Sequence, residues 1–299
     1  MPLLDYVICD VFTTRQFGGN QLAVFPNARG LSDKAMQSIA RELNFSETTF
    51  VFESGDPLTP RVRIFTPAEE VPFAGHPNVG TAFVLANAGV FGPVGEGIEV
   101  CFEEHAGRVP VNIRRDSKQR LHCELEAPQG LEVGRSVSVA EVAAALSISQ
   151  SDIRTEVHPP CEAGVGLPFL IVELASLEAL GQVRANLDAF ERLRARNVVP
   201  DVHMYVRSED EFDLRARMFA PFYGVMEDAA TGSANCALVA LLTQMDPAFS
   251  SGGCWRIAQG VEMGRPSVLE ARTAKSGERI RTWIGGHCAH VASGQLHLA

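Results

Sequence analysis

Two stretches, RIFTPAEEVPFAGHPNVGTA (63–82) and RMFAPFYGVMEDAATGSANCAL (217–238), are versions of one segment, and their repetition decides the fold. Each opens Arg-apolar-Phe-x-Pro, Arg63 to Pro67 and Arg217 to Pro221. Each reaches a small-residue cluster with glycine, Ala74-Gly75-His76-Pro77 in one and Thr231-Gly232-Ser233-Ala234 in the other. Each then enters an apolar stretch of helical period. The offset, 217 − 63 = 154, is about half of the 299 residues, so the chain reads as duplicated halves rather than a short solenoid repeat. Two helix starts with bare glycines are expected to turn backbone N–H groups into one cleft, a place for a small anionic molecule.

Outward from these segments the pattern alternates short strands with few helices. Residues 3–12, 21–25, 47–53 and 61–67 are β-branched, aromatic or alternating and predict strands. Residues 32–43 predict an amphipathic helix with Ser32 as N-cap. His76 to Val90 predicts a helix apolar on every face, hence one enclosed by other elements, with Pro77 in its first turn. Strands follow at 98–103, 108–114 and 120–126.

The second half repeats the order. Helices are expected at 139–146 and 176–192, a strand at 167–174, and a hairpin from 201–208 and 212–219. Ser233 to Gln244 predicts the second enclosed helix, followed by strands at 255–259, 267–273, 279–284 and 287–297. Residues 128–136, PQGLEVGRS, read as a linker. The expected fold is therefore α+β, with two similar domains, 1–127 and 128–299, each a curved, mainly antiparallel sheet around a central helix. The final strand has the option of returning to the first domain, and the active site is expected between the domains. No βαβ alternation with G-x-G-x-x-G is present, which argues against a dinucleotide fold.

Composition narrows the partners. Net charge is −10 with no Lys/Arg-rich run, so nucleic acid is not expected. No apolar run approaches the ~20 residues of a membrane span, and the N-terminus lacks a signal pattern. Seven scattered cysteines without C-x-x-C fit a reduced, cytoplasmic setting. The histidines show no ligand spacing, so no metal is expected.

Three polar residues carry the chemistry best. Glu47 sits in NFSETTFVF, where neighbouring Phe45, Phe50 and Phe52 would desolvate its carboxyl and raise its pKa toward the range of proton transfer. The plain alternative is a solvated Glu at a strand end, the commoner fate of that residue type. His76 begins the first central helix, suited to hydrogen-bond a substrate or merely a loop carbonyl. Asp228 precedes the second helix start, either as a second acid or as a dipole-favoured helix-terminal carboxylate. The amides of Gly232 and Ser233, and the Ser233 hydroxyl, are placed to bind a carboxylate or enolate oxygen. Asn20, after Gly18-Gly19, is a ligand contact or a turn former. Arg63 and Arg217 are expected to be structural, pairing across the sheet.

With these residues in place the chain resembles the PhzF family of phenazine-biosynthesis isomerases. The matching motifs are FGGNQLAVF (17–25), LNFSETTFV (43–51), RIFTPAEEVPFAGHP (63–77), RMFAPFYGVMEDAATGSANCAL (217–238) and QGVEMGRPS (259–267). The resemblance implies a diaminopimelate epimerase-like fold, no cofactor and a homodimer. It implies that Glu47 moves a proton between carbons of a cyclic dihydro-hydroxyanthranilate, with His76 and Asp228 assisting. Asn20, Gly75, Thr231, Gly232 and Ser233 would line the substrate site. The chain departs from the family at Gln21, Asn78 and Ala229, where Pro, Thr and Pro are usual, which leaves the pocket rim open to difference.

Related two-base racemases place Cys-Gly at each helix start. Here the pairs read Ala74-Gly75 and Thr231-Gly232, so the two-thiol route has no thiols. The expected function is a cofactor-independent isomerase shifting a proton and double bond in a small cyclic amino or hydroxy acid. The alternatives are an epimerase using oxygen and nitrogen acids, and a catalytically silent binding protein of the same fold.

Overall fold

The β-branched and aromatic runs of the first half pair as their period-2 pattern demands. In the computed structural model, which describes residues 3–223 and 225–298, β1 (Leu3–Val11) lies antiparallel to β2 (Asn20–Phe25). Gly224, inside the second copy of the repeated segment, lies outside the described residues. After β2 comes α1 (Asp33–Leu43), whose N-terminal amides are capped as expected: Ser32 Oγ accepts from the Ala35 N–H. The chain then enters β3 (Glu47–Phe52), parallel to β2 and antiparallel to β4 (Arg61–Phe65). A two-residue strand, β5 (Glu70–Val71), folds back on β4 and leads to α2 (Gly75–Asn87). The half continues with β6 (Ile98–Glu104), parallel to β4, then the antiparallel β7 (Gly107–Arg115) and β8 (Leu121–Glu126).

The chain divides into two compact units, Met1–Glu126 with Gly285–Ala299, and Ala127–Ile284. In the first, α2 packs against β1, β2, β3, β7 and β8. Every residue of α2 from Gly75 to Ala86 is buried, as its all-round apolarity required. Gly80 lets the sheet approach: a Cβ there would sit 2.5 Å from Leu22 and 2.7 Å from Val11. A second cluster joins α1 to the outer face of the strands, where Phe25 stacks on Phe50 at 4.9 Å and Phe65 meets Phe50 edge-on at 5.4 Å. Each such buried ring stabilises the fold by roughly 1.5–3 kcal/mol.

The second unit opens with β9 (Glu132–Ser136), α3 (Val139–Leu146), β10 (Cys161–Gly164) and β11 (Pro168–Glu173). Residues 132–136 are thus not linker but a strand paired with β10. Gly134 allows close approach there, since a Cβ would lie 2.9 Å from Glu162 Cβ.

The helix expected over 176–192 is two helices, α4 (Leu177–Gln182) and α5 (Leu187–Ala195). Arg217 Nη1 donates to the Leu180 and Val183 carbonyls at 2.8 and 3.2 Å and ends the first. Asn186 Oδ1 accepts from the Ala189 N–H and starts the second.

The remaining order copies the first half. The antiparallel hairpin of β12 (Val202–Arg207) and β13 (Leu214–Ala220) is followed by β14 (Val225–Asp228), α6 (Gly232–Met245) and β15 (Gly252–Gln259), which is parallel to β13. Helix α6 packs against β10, β11, β15 and β16 (Ser267–Ser276).

The two strands expected at 279–284 and 287–297 are one, β17 (Arg279–His297). Gly285 does not break it. Its missing Cβ, which would stand 2.7 Å from the Cys123 carbonyl oxygen, allows close contact with β8. Beyond Gly285 the strand pairs antiparallel with β1. The sheets and central helices are those of an α+β fold. Among the described residues no helix is long and apolar enough to cross a membrane.

Candidate active site

The two arginines of the repeated segment build matching frames. Arg63 Nε donates to Glu70 Oε1 at 2.7 Å and Arg217 Nε to Glu227 Oε1 at 2.7 Å, each bonding the short strand that follows its own. Each guanidinium also lies over the phenyl ring two residues on, Phe65 at 5.2 Å and Phe219 at 5.1 Å. Their role is structural, as expected. They fix the hairpin whose far end leads into a central helix.

In the first unit that helix start carries His76, which is 5% exposed. Its Nε2 lies 3.6 Å from Glu47 Oε2, an electrostatic contact beyond ordinary hydrogen-bond length. Its Nδ1 lies 3.5 Å from Asn20 Nδ2. The Asn20 amide is oriented by Ser46, whose Oγ donates to Asn20 Oδ1 at 3.1 Å. With its NH2 toward the imidazole, Asn20 makes Nδ1 the acceptor, so a neutral His76 carries its proton on Nε2, toward Glu47.

Asn20 holds this place because Gly19 adopts φ +63 with no room for a side chain; a Cβ would be 2.3 Å from the Val11 carbonyl oxygen. Asn20 is thus both a turn residue and part of the site. The Glu47 side chain is 20% exposed, and burial, opposed by the Ser46 hydrogen bond, raises its pKa to about 7. A carboxyl poised there is both acid and base near neutrality.

The second unit holds a polar cluster at the start of α6. The Thr231 hydroxyl donates to Asp228 Oδ2 at 2.6 Å, and the Thr231 N–H to Gln259 Oε1 at 3.2 Å. Gln259 Nε2 donates to the Asp228 carbonyl and to Thr231 Oγ1, at 2.9 and 3.1 Å. Asn235 Nδ2 donates to the Thr231 carbonyl and to Gln259 Oε1, at 3.0 and 2.8 Å. Thr231, Gly232 and Ser233 therefore form a rigid turn. The Thr231 hydroxyl and N–H are engaged inside it, and Ser233 keeps partial exposure. Cys236 is buried a turn into the helix.

Sequence reasoning gave no task to Gln259 and Asn235, which pin the second turn. Asp201 was not singled out, although it lies 201 − 47 = 154 residues after Glu47. Val202 faces Phe219 as Thr48 faces Phe65, so Asp201 is the second half's counterpart of Glu47. Burial raises the Asp201 pKa to about 7, and its buried Oδ1 has no hydrogen-bond partner among the described residues.

The family model for phenazine biosynthesis-like proteins matches residues 9–294. The chain belongs to the PhzF family. Among PhzF relatives, trans-2,3-dihydro-3-hydroxyanthranilate isomerase of Pseudomonas aeruginosa is 36% identical over 295 residues, covering 98% of this chain and 99% of that one. An uncharacterized isomerase of Mesorhizobium japonicum is 37% identical over 308 residues, covering all of both. The solved Bacillus anthracis phenazine biosynthesis protein of the PhzF family superposes with a TM-score of 0.90 at 23% identity, over all of both chains. That likeness shows the PhzF fold, which the hydroxyproline epimerase of Agrobacterium vitis shares at a TM-score of 0.65. The chain is an isomerase of the PhzF family, and its fold is the epimerase-like one the motifs implied.

Proposed function

We propose that this isomerase moves a proton, and with it a double bond, within a small cyclic amino or hydroxy acid of the trans-2,3-dihydro-3-hydroxyanthranilate kind, without a cofactor. The observation that carries the reading is a carboxyl raised to about 7 whose neighbour, His76, turns Nε2 toward it. Ionised Glu47 accepts a proton from an acidic C–H, exchanges it with solvent through its partly exposed carboxyl, and as the neutral acid delivers a proton to another carbon of the same π system. His76 donates from Nε2, first to the carboxylate and then to substrate oxygen or nitrogen as Glu47 takes up the proton. Asp228 and the amides of Gly232 and Ser233 serve the substrate's charged group.

The named activity of the P. aeruginosa relative supports the substrate class. Absence of a thiol at Ala74 and Thr231 argues against the two-thiol racemase route. The test is turnover of trans-2,3-dihydro-3-hydroxyanthranilate in heavy water, followed by proton NMR. Deuterium entering at a ring carbon in the wild type, and not in Glu47→Gln, is the expected result. Absence of exchange by the wild type, or equal exchange by both, refutes it.

A further inference from the structure

The second unit encloses a hydrogen-bonded chain of side chains for which the proton shift has no use. His158, Tyr205 and Glu173 are 1%, 0% and 5% exposed. His158 Nε2 lies 2.9 Å from the Tyr205 hydroxyl oxygen, and that oxygen lies 2.8 Å from Glu173 Oε2. At one end His158 Nδ1 is 2.9 Å from the Pro159 carbonyl oxygen. At the other, Arg207 Nε donates to Glu173 Oε1 at 3.1 Å, and Arg207 Nη1 lies 2.9 Å from Asp246 Oδ2. Asp246 is the C-cap of α6, the helix that begins at the Thr231–Ser233 turn.

The chain is one proton short if each side chain carries its usual number at neutral pH. A carbonyl only accepts, so His158 Nδ1 is a donor and holds the proton of a neutral imidazole. Nε2 is then a bare acceptor, and so is Glu173 Oε2 as a carboxylate oxygen. The phenol between them has one proton, which burial keeps in place by pushing the Tyr205 pKa up. Whichever way that proton points, the contact on the other side sets lone pairs face to face at 2.8 or 2.9 Å, away from water. An unsatisfied contact of that kind is costly in a low-dielectric interior. One added proton, on Nε2 or on Oε2, satisfies every atom of the chain. Arg207 does not stand in for it, because its nitrogens are turned to Oε1 and to Asp246.

The duplicated frame does not itself require this chain. Tyr205 faces Ala216 as Val51 faces Val62, at the same offset of 205 − 51 = 154, and Val51 is a buried apolar residue. The first half fills with valine the place that the second fills with a phenol between two acceptors.

We propose that the His158–Tyr205–Glu173 chain is a buried proton site, holding in the folded protein near neutral pH one proton more than these side chains carry when unfolded. The proton locks the 158–160 segment to β11 and β12. Pro160 carries the hold onward, its carbonyl accepting from the Val137 N–H at 2.8 Å, next to the start of α3. Loss of the proton as pH rises opens the His158–Tyr205 or the Tyr205–Glu173 contact. Burial lowers the pKa of the His158 imidazole, opposed by the Pro159 carbonyl and by Glu173. A solitary imidazole here would be neutral, so the added proton belongs to the chain as a whole.

The other titratable and charged groups around the chain are neutral or engaged. Burial raises the Cys161 thiol to about 11 and lowers His203, two residues before Tyr205, to about 4. Glu162 holds Arg135, Arg154 donates to the Ala175 carbonyl, and Asp210 holds Arg215. Asp201, raised to about 7, stands before β12 and is common to every protein compared below. The inference does not depend on the proton-shift reading.

The direct measurement is nitrogen-15 NMR of the His158 ring and carbon-13 NMR of the Glu173 carboxyl at about pH 7.5, assigned by their loss in His158→Gln and Glu173→Gln. A proton on Nε2, or a protonated Glu173 carboxyl, is expected; a bare Nε2 beside an ionised carboxylate overturns the proposal. Glu173→Gln also replaces the added proton by an amide N–H, which donates to Tyr205 while the amide oxygen accepts from Arg207. Unfolded His158 is mostly neutral above its ordinary 6.5, so the native protein releases the extra proton on unfolding. Between about pH 7.5 and 8.5 the unfolding constant of the wild type is therefore expected to rise about tenfold more than that of Glu173→Gln in urea titrations. Tyr205→Phe removes the bridge and is expected to lose the same tenfold. Parallel pH profiles for the wild type and these two variants overturn the proposal.

Discussion

Asp201 stands in the second half where Glu47 stands in the first, and burial raises both carboxyls to about 7. Each leads into the strand that pairs with an Arg-x-Phe strand, with Thr48 opposite Phe65 and Val202 opposite Phe219. The duplicated frame desolvates whatever acid occupies that corner. Two carboxyl carbons titrating near pH 7 are therefore expected in a carbon-13 NMR titration, one lost in Glu47→Gln and the other in Asp201→Asn. An Asp201 midpoint near the ordinary 3.8 would show that only the first corner is shielded.

Glu47 sets function against stability. Its ordinary value is 4.5 and its folded value about 7, so the native protein binds more protons than the unfolded chain between those limits. Stability is expected to fall as pH rises through that window and to level off above it. Glu47→Gln removes the dependence. Its gain over the wild type should be near zero below pH 4.5 and rise toward about 3 kcal/mol above pH 7, while turnover drops on the order of a thousandfold or more. Urea unfolding at pH 4.5 and pH 8 reads the first effect. A variant no more stable at pH 8 than at pH 4.5 would show that the carboxyl is not shielded in solution.

Asn20 fixes which nitrogen of His76 faces Glu47. Replacing it by Asp turns the donor at Nδ1 into an acceptor, so the proton is expected on Nδ1 and the Nε2 lone pair toward Glu47. Long-range proton–nitrogen NMR of the His76 ring distinguishes the two forms. With the donor reversed, kcat should fall by about 10- to 100-fold with little change in thermal stability. Full activity in Asn20→Asp would remove His76 from the proton inventory.

The repeated Arg-x-Phe-x-Pro segment and the enclosed helices were legible because each depends on local residue type, whereas Glu47, His76 and Asn20 stood out one by one and only the fold groups them. Elements set by distant partners were not legible. The break between α4 and α5 is written in Arg217, more than thirty residues later, and only the fold brings it to those carbonyls. Gly134 falls in a stretch that reads as linker, and Gly285 in the gap between two expected strands, until the packed neighbours that exclude a Cβ are known. Asp201 was hidden for a different reason. The chemistry of a lone aspartate before a strand is unremarkable, and the offset that exposes it had been applied only to the arginines. Gln259 needed the register of β15, which sequence spacing does not supply.

The two framing arginines should differ in what they hold. Arg217 is nearly buried, bonds Glu227 through both Nε and Nη2, and fills the Leu180 and Val183 carbonyls with Nη1. Arg63 makes the same fork with Glu70, but its Nη1 goes to Asp33, whose side chain is 81% exposed. Water can replace the Asp33 contact and cannot easily reach the two carbonyls. Arg217→Met is therefore expected to cost about 3–5 kcal/mol, the range for leaving a buried charge without its partner. Arg63→Met should cost at least about 1 kcal/mol less, because an exposed ion pair contributes little. Adding Glu227→Gln to Arg217→Met should recover part of the loss but not the share owed to the carbonyls. Denaturant unfolding of the four proteins measures these differences. Equal losses for the two single variants would mean that ending α4 contributes nothing to stability, and that the arginines act only through their glutamates.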